Sequence, residues 1–209
     1  MGTNTASLFP MFLKLEGRNC LVLGAGSVGE QKIRSLVDCG AHIRVVAPSA
    51  SAAVREWAER GALTWIQRPF ESADLVGVFL VVAATSSVDV NHAIYHEAQA
   101  RGILCNVVDD PPHCDFYYPA VVRRGQLQIA ISTAGLSPAL AQRIRKQLER
   151  EFPPAYASWL EEIGSQRESL FSAGGDPELR RKLLHQLATP QAFLEFERSD
   201  QSESGKEVL

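Results

Sequence analysis

The chain has 209 residues, 45% of them hydrophobic, enough for one domain with an appendage or two small domains around a real core. Its formal net charge of −3 excludes a general nucleic-acid footprint, so an anionic ligand must be met by local basic clusters. No run of about 18 apolar residues is present to span a membrane, and the opening MGTNTASLFPMF lacks the charged and apolar regions of a secretory signal.

In chain order, an apolar strand is predicted at 19–24 and a helix at 27–39, closed by Gly40. A second strand at 42–47 is expected to stop at Pro48, with a helix at 51–60 ended by Gly61 and a third strand at 63–67. Residues 71–75 read as a short helical turn. The unbroken apolar run 78–84 suits a strand buried on both faces, followed by a helix at 88–101 and a fifth strand at 103–108. Repeated βα units of this length imply parallel strands with right-handed crossovers. The pattern then changes. Residues 118–122 and 127–132 read as a hairpin turning at Arg123-Arg124-Gly125. Ser137-Pro138 starts a helix to about 151, with Leu140, Ile144 and Leu148 on one face, and Pro153-Pro154 breaks it. Helices follow at 155–171 and 177–188, and the tail ending DQSESGKEVL is expected to fray. The fold class is therefore α/β, a doubly wound Rossmann-type parallel sheet, then a hairpin-plus-helix element and a helical C-terminal part. The corresponding domains are 1–113, 114–150 and 151–209.

The four cysteines, Cys20, Cys39, Cys105 and Cys114, show no CxxC or zinc spacing, and reduced, packed thiols in a cytosol are expected. The segment 20–29, CLVLGAGSVG, carries the strongest chemical signal. Gly24 allows a tight turn, Gly26 lets the backbone approach a pyrophosphate, and Gly29 lets helix and strand pack closely. Ser27 and Val28 open the helix, where backbone N–H groups can meet phosphate. The competing reading is a tight βα turn with no ligand. Pro48 and Ser49 fall where an adenosine ribose would sit, yet the usual acidic residue is missing there, and no Arg follows for a 2′-phosphate. Thr85 and Ser86 end the fourth strand, where they can border the nicotinamide end of the ligand, cap the next helix, or do both.

Several segments together resemble one family. FPMFLKLEGRNCLVLGAGSVGEQKIRSLVDCGA, VVAATSSVDVN, CNVVDDPPHCDFYYPAVVRRG and LQIAISTAGLSPALAQRIRKQLE are similar to the dehydrogenase region of siroheme synthases, the precorrin-2 dehydrogenase family. The likeness covers about 9–150 and continues more loosely to about 188. No methyltransferase domain like that fused to some relatives is seen in these residues, so the likeness is to the stand-alone form. The resemblance implies NAD as cofactor and oxidation of precorrin-2 to sirohydrochlorin. Some members also insert Fe²⁺ as a second substrate to give siroheme. It further implies a cytoplasmic homodimer in which the 114–150 region serves dimerisation and the substrate site. Neither nucleic acid nor membrane is an expected partner.

The resemblance also points to site residues. Asp109, in NVVD at the end of the fifth strand, is the candidate base; the competing reading is that Asp109 and Asp110 only shape the turn before Pro111-Pro112. Asn106 joins the cofactor set. A carboxylate-rich tetrapyrrole needs cationic and hydroxyl partners, for which Arg123, Arg124, Thr133, Ser137 and Arg143 are candidates; solvated charges are the bland alternative. No protein metal site is expected, because His113-Cys114 lacks a second spaced pair. The alternative function is a non-catalytic regulatory module that binds NAD or a tetrapyrrole.

Overall fold

The computed structural model describes residues 7–204. They form two compact units, divided between Tyr118 and Pro119.

The first unit carries β1 (Asn19–Ala25), α1 (Ser27–Val37), β2 (His42–Ala50), α2 (Ala52–Glu59), β3 (Thr64–Ile66), β4 (Leu80–Ala83), α3 (Val88–Ala100) and β5 (Leu104–Val107). The strands are parallel in the order β3-β2-β1-β4-β5, the Rossmann-like sheet expected. Side chains alternate across β1. Cys20 and Val22 enter one apolar cluster with Ile33, Leu36 and Val54. Leu21 and Leu23 enter another with Val81, Ile94 and Cys105 on the opposite face. Burial on both faces explains why β1 and β4 are continuous apolar runs rather than alternating ones.

β2 does not stop at Pro48; it runs to Ala50, with a register shift against β1 between Leu23 and Ala25. The reason lies in its neighbour. β3 pairs only with Arg44–Val46, so the ladder on that side makes no demand for the amide hydrogen that proline lacks. Cys20 and Cys105 are buried free thiols, pushed by that burial to about 11 and about 12, which makes them poor nucleophiles.

Asp74, in a 3₁₀ turn at Ser72–Leu75, is 5% exposed and accepts both Arg68 Nη2 (2.7 Å) and Nη1 (2.8 Å), plus the Glu71 N–H at 2.9 Å. The Arg68 hydrogen bond holds its carboxyl below the ordinary carboxylate range. A lowered folded-state pKa gives stability that is full above the unfolded value and lost as pH falls through the folded one. Asp74→Ala is expected to lower stability by about 2 kcal/mol near neutral pH. In urea titrations the gap between wild type and variant should narrow as pH falls below the ordinary carboxylate range.

The second unit carries the antiparallel hairpin β6 (Ala120–Arg124) and β7 (Leu127–Ile131), then α4 (Pro138–Glu151), α5 (Tyr156–Ser172), α6 (Pro177–Leu187) and α7 (Pro190–Ser204). The hairpin turns at Gly125-Gln126, with Arg124 paired to Leu127, so Arg123 and Arg124 belong to the strand and not to the turn. The residues after Thr189 are not simply a tail: α7 extends to Ser204, and 205–209 lie outside the described residues. Phe193 explains the helix. It is buried against Tyr156 and Trp159, with ring centroids 4.3 and 5.1 Å away.

Candidate nucleotide cleft

The sheet order reverses between β1 and β4, because the chain builds outward to β3 and then returns to β4 beside β1. At such a switch point the loops leaving the two strands diverge and open a crevice at their carboxyl ends. A cleft of about 550 Å³ lies there. Its walls include Gly24, Gly26, Ser27, Val28 and Gly29 after β1, Pro48 and Ser49 on β2, and Thr85 and Ser86 after β4.

The three glycines answer different demands. Gly24 has φ +98°, and a Cβ there would stand 2.3 Å from the Ala84 carbonyl oxygen. A Cβ on Gly29 would stand 2.2 Å from the Gly24 carbonyl oxygen, so α1 can leave β1 this tightly only with glycine there. Gly26 is different. It caps α1 in an extended conformation, and a Cβ added to it would meet no protein atom within 4 Å. Nothing within the described chain asks for glycine at 26, whereas a ligand approaching the backbone would. No side chain caps the N-terminus of α1, so its first N–H groups face an anion-ready space. The site fits a dinucleotide pyrophosphate.

The residues lining the cleft carry no carboxylate and no cation. A ribose would therefore be held by Ser49 and backbone groups, without a charged partner to read the 2′ position. Thr85 is fixed by Asn91, which sequence reasoning missed. Thr85 Oγ1 lies 2.7 Å from Asn91 Oδ1, and Asn91 Nδ2 donates to the Thr85 carbonyl at 3.1 Å. The α3 cap is Ser87, whose hydroxyl accepts from the Val90 N–H, so neither Thr85 nor Ser86 is the cap. Asn106 does not line the cleft. It is buried, and its amide donates to the Phe116 carbonyl at 2.8 Å and to Cys114 Sγ at 3.3 Å, which ties β5 to the following loop.

The family model described as "Putative NAD(P)-binding" matches residues 11–120, more than half of the chain. The chain belongs to this NAD(P)-binding family. A second model, described as sirohaem biosynthesis protein central, matches residues 124–151, the hairpin end and α4. A siroheme synthase from Nitrosococcus oceani is 40% identical over 147 residues, 70% of this chain and 31% of that protein. One from Xylella fastidiosa is 37% identical over 201 residues, 95% of this chain and 42% of that protein. The chain thus spans well under half the length of these curated relatives. A solved structure titled "SirC, precorrin-2 dehydrogenase" superposes with a TM-score of 0.78 at 28% identity, covering 93% of this chain and all of that one. The likeness read from the motifs is borne out, and membership supports a nicotinamide dinucleotide as the chain's cofactor. Among the described residues no helix is long and apolar enough to cross a membrane.

Within the family fold, Asp109 follows β5, one strand over from the cleft. It is exposed and holds a left-handed φ of 60°, uncommon outside glycine. It is not among the cleft-lining residues. Lys32 on α1, also missed from sequence, is half-buried with Nζ 3.8 Å from the centroid of the Tyr118 ring. Burial lowers its pKa, while Asp109 and then Cys114 pull the other way. The signal was present: Lys32 falls on the stripe of α1 with Gly29, Ile33 and Leu36, where a charge needs a reason.

Asp110 does more than shape a turn. Its Oδ2 lies 2.7 Å from His92 Nε2 and 2.8 Å from His113 Nδ1, and the two imidazoles stack with centroids 4.2 Å apart. The hydrogen bonds from His113 and then His92 keep the Asp110 carboxyl below its ordinary range.

In the second unit, Arg124 is committed to the end of α4. Its Nε donates to the Phe152 carbonyl at 2.6 Å and its Nη2 to the Glu149 carbonyl at 3.0 Å, so it closes a helix C-terminus rather than awaiting a ligand. Ser137 caps α4 as predicted, accepting from the Leu140 N–H at 3.2 Å. Thr133 Oγ1 accepts from the Ser137 N–H at 3.2 Å, and both hydroxyls therefore order the loop. Arg123 and Arg143 are exposed.

Proposed function

We propose that the chain is a precorrin-2 dehydrogenase that oxidises its substrate to sirohydrochlorin with NAD⁺. The observation that carries this is the match to a titled precorrin-2 dehydrogenase over the whole of that chain, with a pyrophosphate-ready cleft at the switch point. The nicotinamide supplies the hydride acceptor when bound; Gly24, Gly26, Ser27, Val28 and Gly29 would hold its pyrophosphate. Pro48 and Ser49 would border the ribose, and Thr85 and Ser86 the other end. NAD is favoured over NADP because no cation lines the cleft to meet a 2′-phosphate.

Asp109 is the proposed base. The oxidation removes a hydride and a proton from the substrate, and an exposed carboxylate beyond the carboxyl end of β5 can take that proton. Arg123 and Arg143 are the proposed anchors for substrate carboxylates, with Thr133 and Ser137 offering hydroxyl protons. We place the enzyme in the cytoplasm as a homodimer, and assign Fe²⁺ insertion as a second activity on the same acid. Anaerobic spectra of the purified chain with precorrin-2 and either NAD⁺ or NADP⁺ test the reading. Sirohydrochlorin formation with NAD⁺ preferred is expected. Dinucleotide and tetrapyrrole binding without turnover would favour the regulatory-module alternative.

A further inference from the structure

Three of the five histidines of the chain, His92, His96 and His113, converge on one patch of the first unit. Two of them share the Asp110 carboxylate. The local structure explains the convergence. Pro111–His113 is a single 3₁₀ turn, in which side chains three apart eclipse, so Asp110 and His113 project to the same side. The two prolines stiffen that turn. His92 reaches the same point from the first turns of α3, 18 residues earlier in the chain.

We propose that His92 Nε2, an Asp110 carboxylate oxygen and His113 Nδ1 bind one divalent first-row transition-metal ion. The three donor atoms lie within 4.8 Å of one another. A tetrahedral ion with metal–nitrogen bonds of about 2.0–2.1 Å needs donors about 3.3 Å apart, so the present contacts would open by roughly half an ångström. The donor set of two imidazoles and one carboxylate suits zinc, cobalt, nickel or ferrous iron and disfavours magnesium and calcium, which prefer oxygen. His92, Asp110 and His113 are 37, 25 and 24% exposed, which leaves an entry path and room for water in the fourth position. This revises the sequence expectation of no metal site, which weighed His113 with Cys114. Cys114 in fact turns away, donating to the Val107 carbonyl at 3.1 Å. The ion would pin α3 to the loop that carries Asp109. The assignment goes beyond the proposed activity and does not depend on it.

The test is a Co²⁺ titration of the purified, metal-stripped full chain without an affinity tag, followed by visible absorption. One equivalent with an intense four-coordinate spectrum, displaced by Zn²⁺, is expected. His92→Ala and His113→Ala, checked for folding by circular dichroism, should each weaken binding about 10- to 100-fold. His185→Ala, on the exposed face of α6, should leave it unchanged. Binding unaffected by His92→Ala and His113→Ala, or no stoichiometric uptake, would overturn the assignment.

Discussion

Gly26→Ala is expected to fold with wild-type stability and to bind the nicotinamide dinucleotide at least tenfold more weakly. A methyl at 26 meets no protein atom within 4 Å, and the position has an ordinary extended conformation, so the folded chain has no quarrel with alanine. Replacing glycine there even trims unfolded-state entropy, worth a few tenths of a kcal/mol. The cost falls on the ligand, whose pyrophosphate would lose its close approach to the backbone. Gly24→Ala and Gly29→Ala separate from it cleanly. Each puts a Cβ within 2.3 Å of a backbone carbonyl oxygen, which only a shift of β1, β4 or α1 can relieve. A loss of about 3 kcal/mol is expected for each. Thermal melts beside dinucleotide titration distinguish the two classes. A Gly26→Ala protein that binds as tightly as wild type would remove the pyrophosphate from this turn.

Asp109→Asn is expected to lower turnover of precorrin-2 by at least about 100-fold with dinucleotide affinity intact. Asparagine is chosen because it tolerates the left-handed φ of 60° and keeps the shape of the side chain, removing only the capacity to accept a proton. A fall caused by misfolding would show in the melting curve; one caused by a lost base would not. Steady-state rates within a fewfold of wild type would exclude Asp109 as the proton acceptor.

Much of the first unit was legible because its signals are local or periodic. A strand, a glycine turn and a helix in one ten-residue window can hardly fold otherwise. The unbroken apolar run at β4 announces burial on both faces. What escaped depended on partners distant in sequence. β2 passes Pro48 only because β3 is short, a fact invisible within β2 itself. The α7 helix had a readable start: Thr189-Pro190 repeats the cap-and-proline signature of Ser137-Pro138, and Thr189 Oγ1 accepts from the Ala192 N–H. In the sequence the polar end of the chain outweighs a single buried ring, Phe193.

The site divides in the same way. The cleft residues came from a contiguous motif and from strand ends, which topology gathers predictably. Arg124 looked like a ligand-seeking cation, but a C-terminal helix turn 25 residues on takes its donors. His92 and Asp110, 18 residues apart, meet only once α3 and β5 are packed together. Asn106 follows the same rule: it is buried on β5, and its amide is taken by Cys114 and Phe116, eight and ten residues on.

The most direct test of the central claim is the anaerobic conversion of precorrin-2 by the purified chain, followed by absorbance with and without NAD⁺. The account predicts NADH and sirohydrochlorin appearing together in equal amounts, at a rate that Asp109→Asn lowers by at least about 100-fold. No NADH above the protein-free control, with both ligands shown to bind, would contradict it.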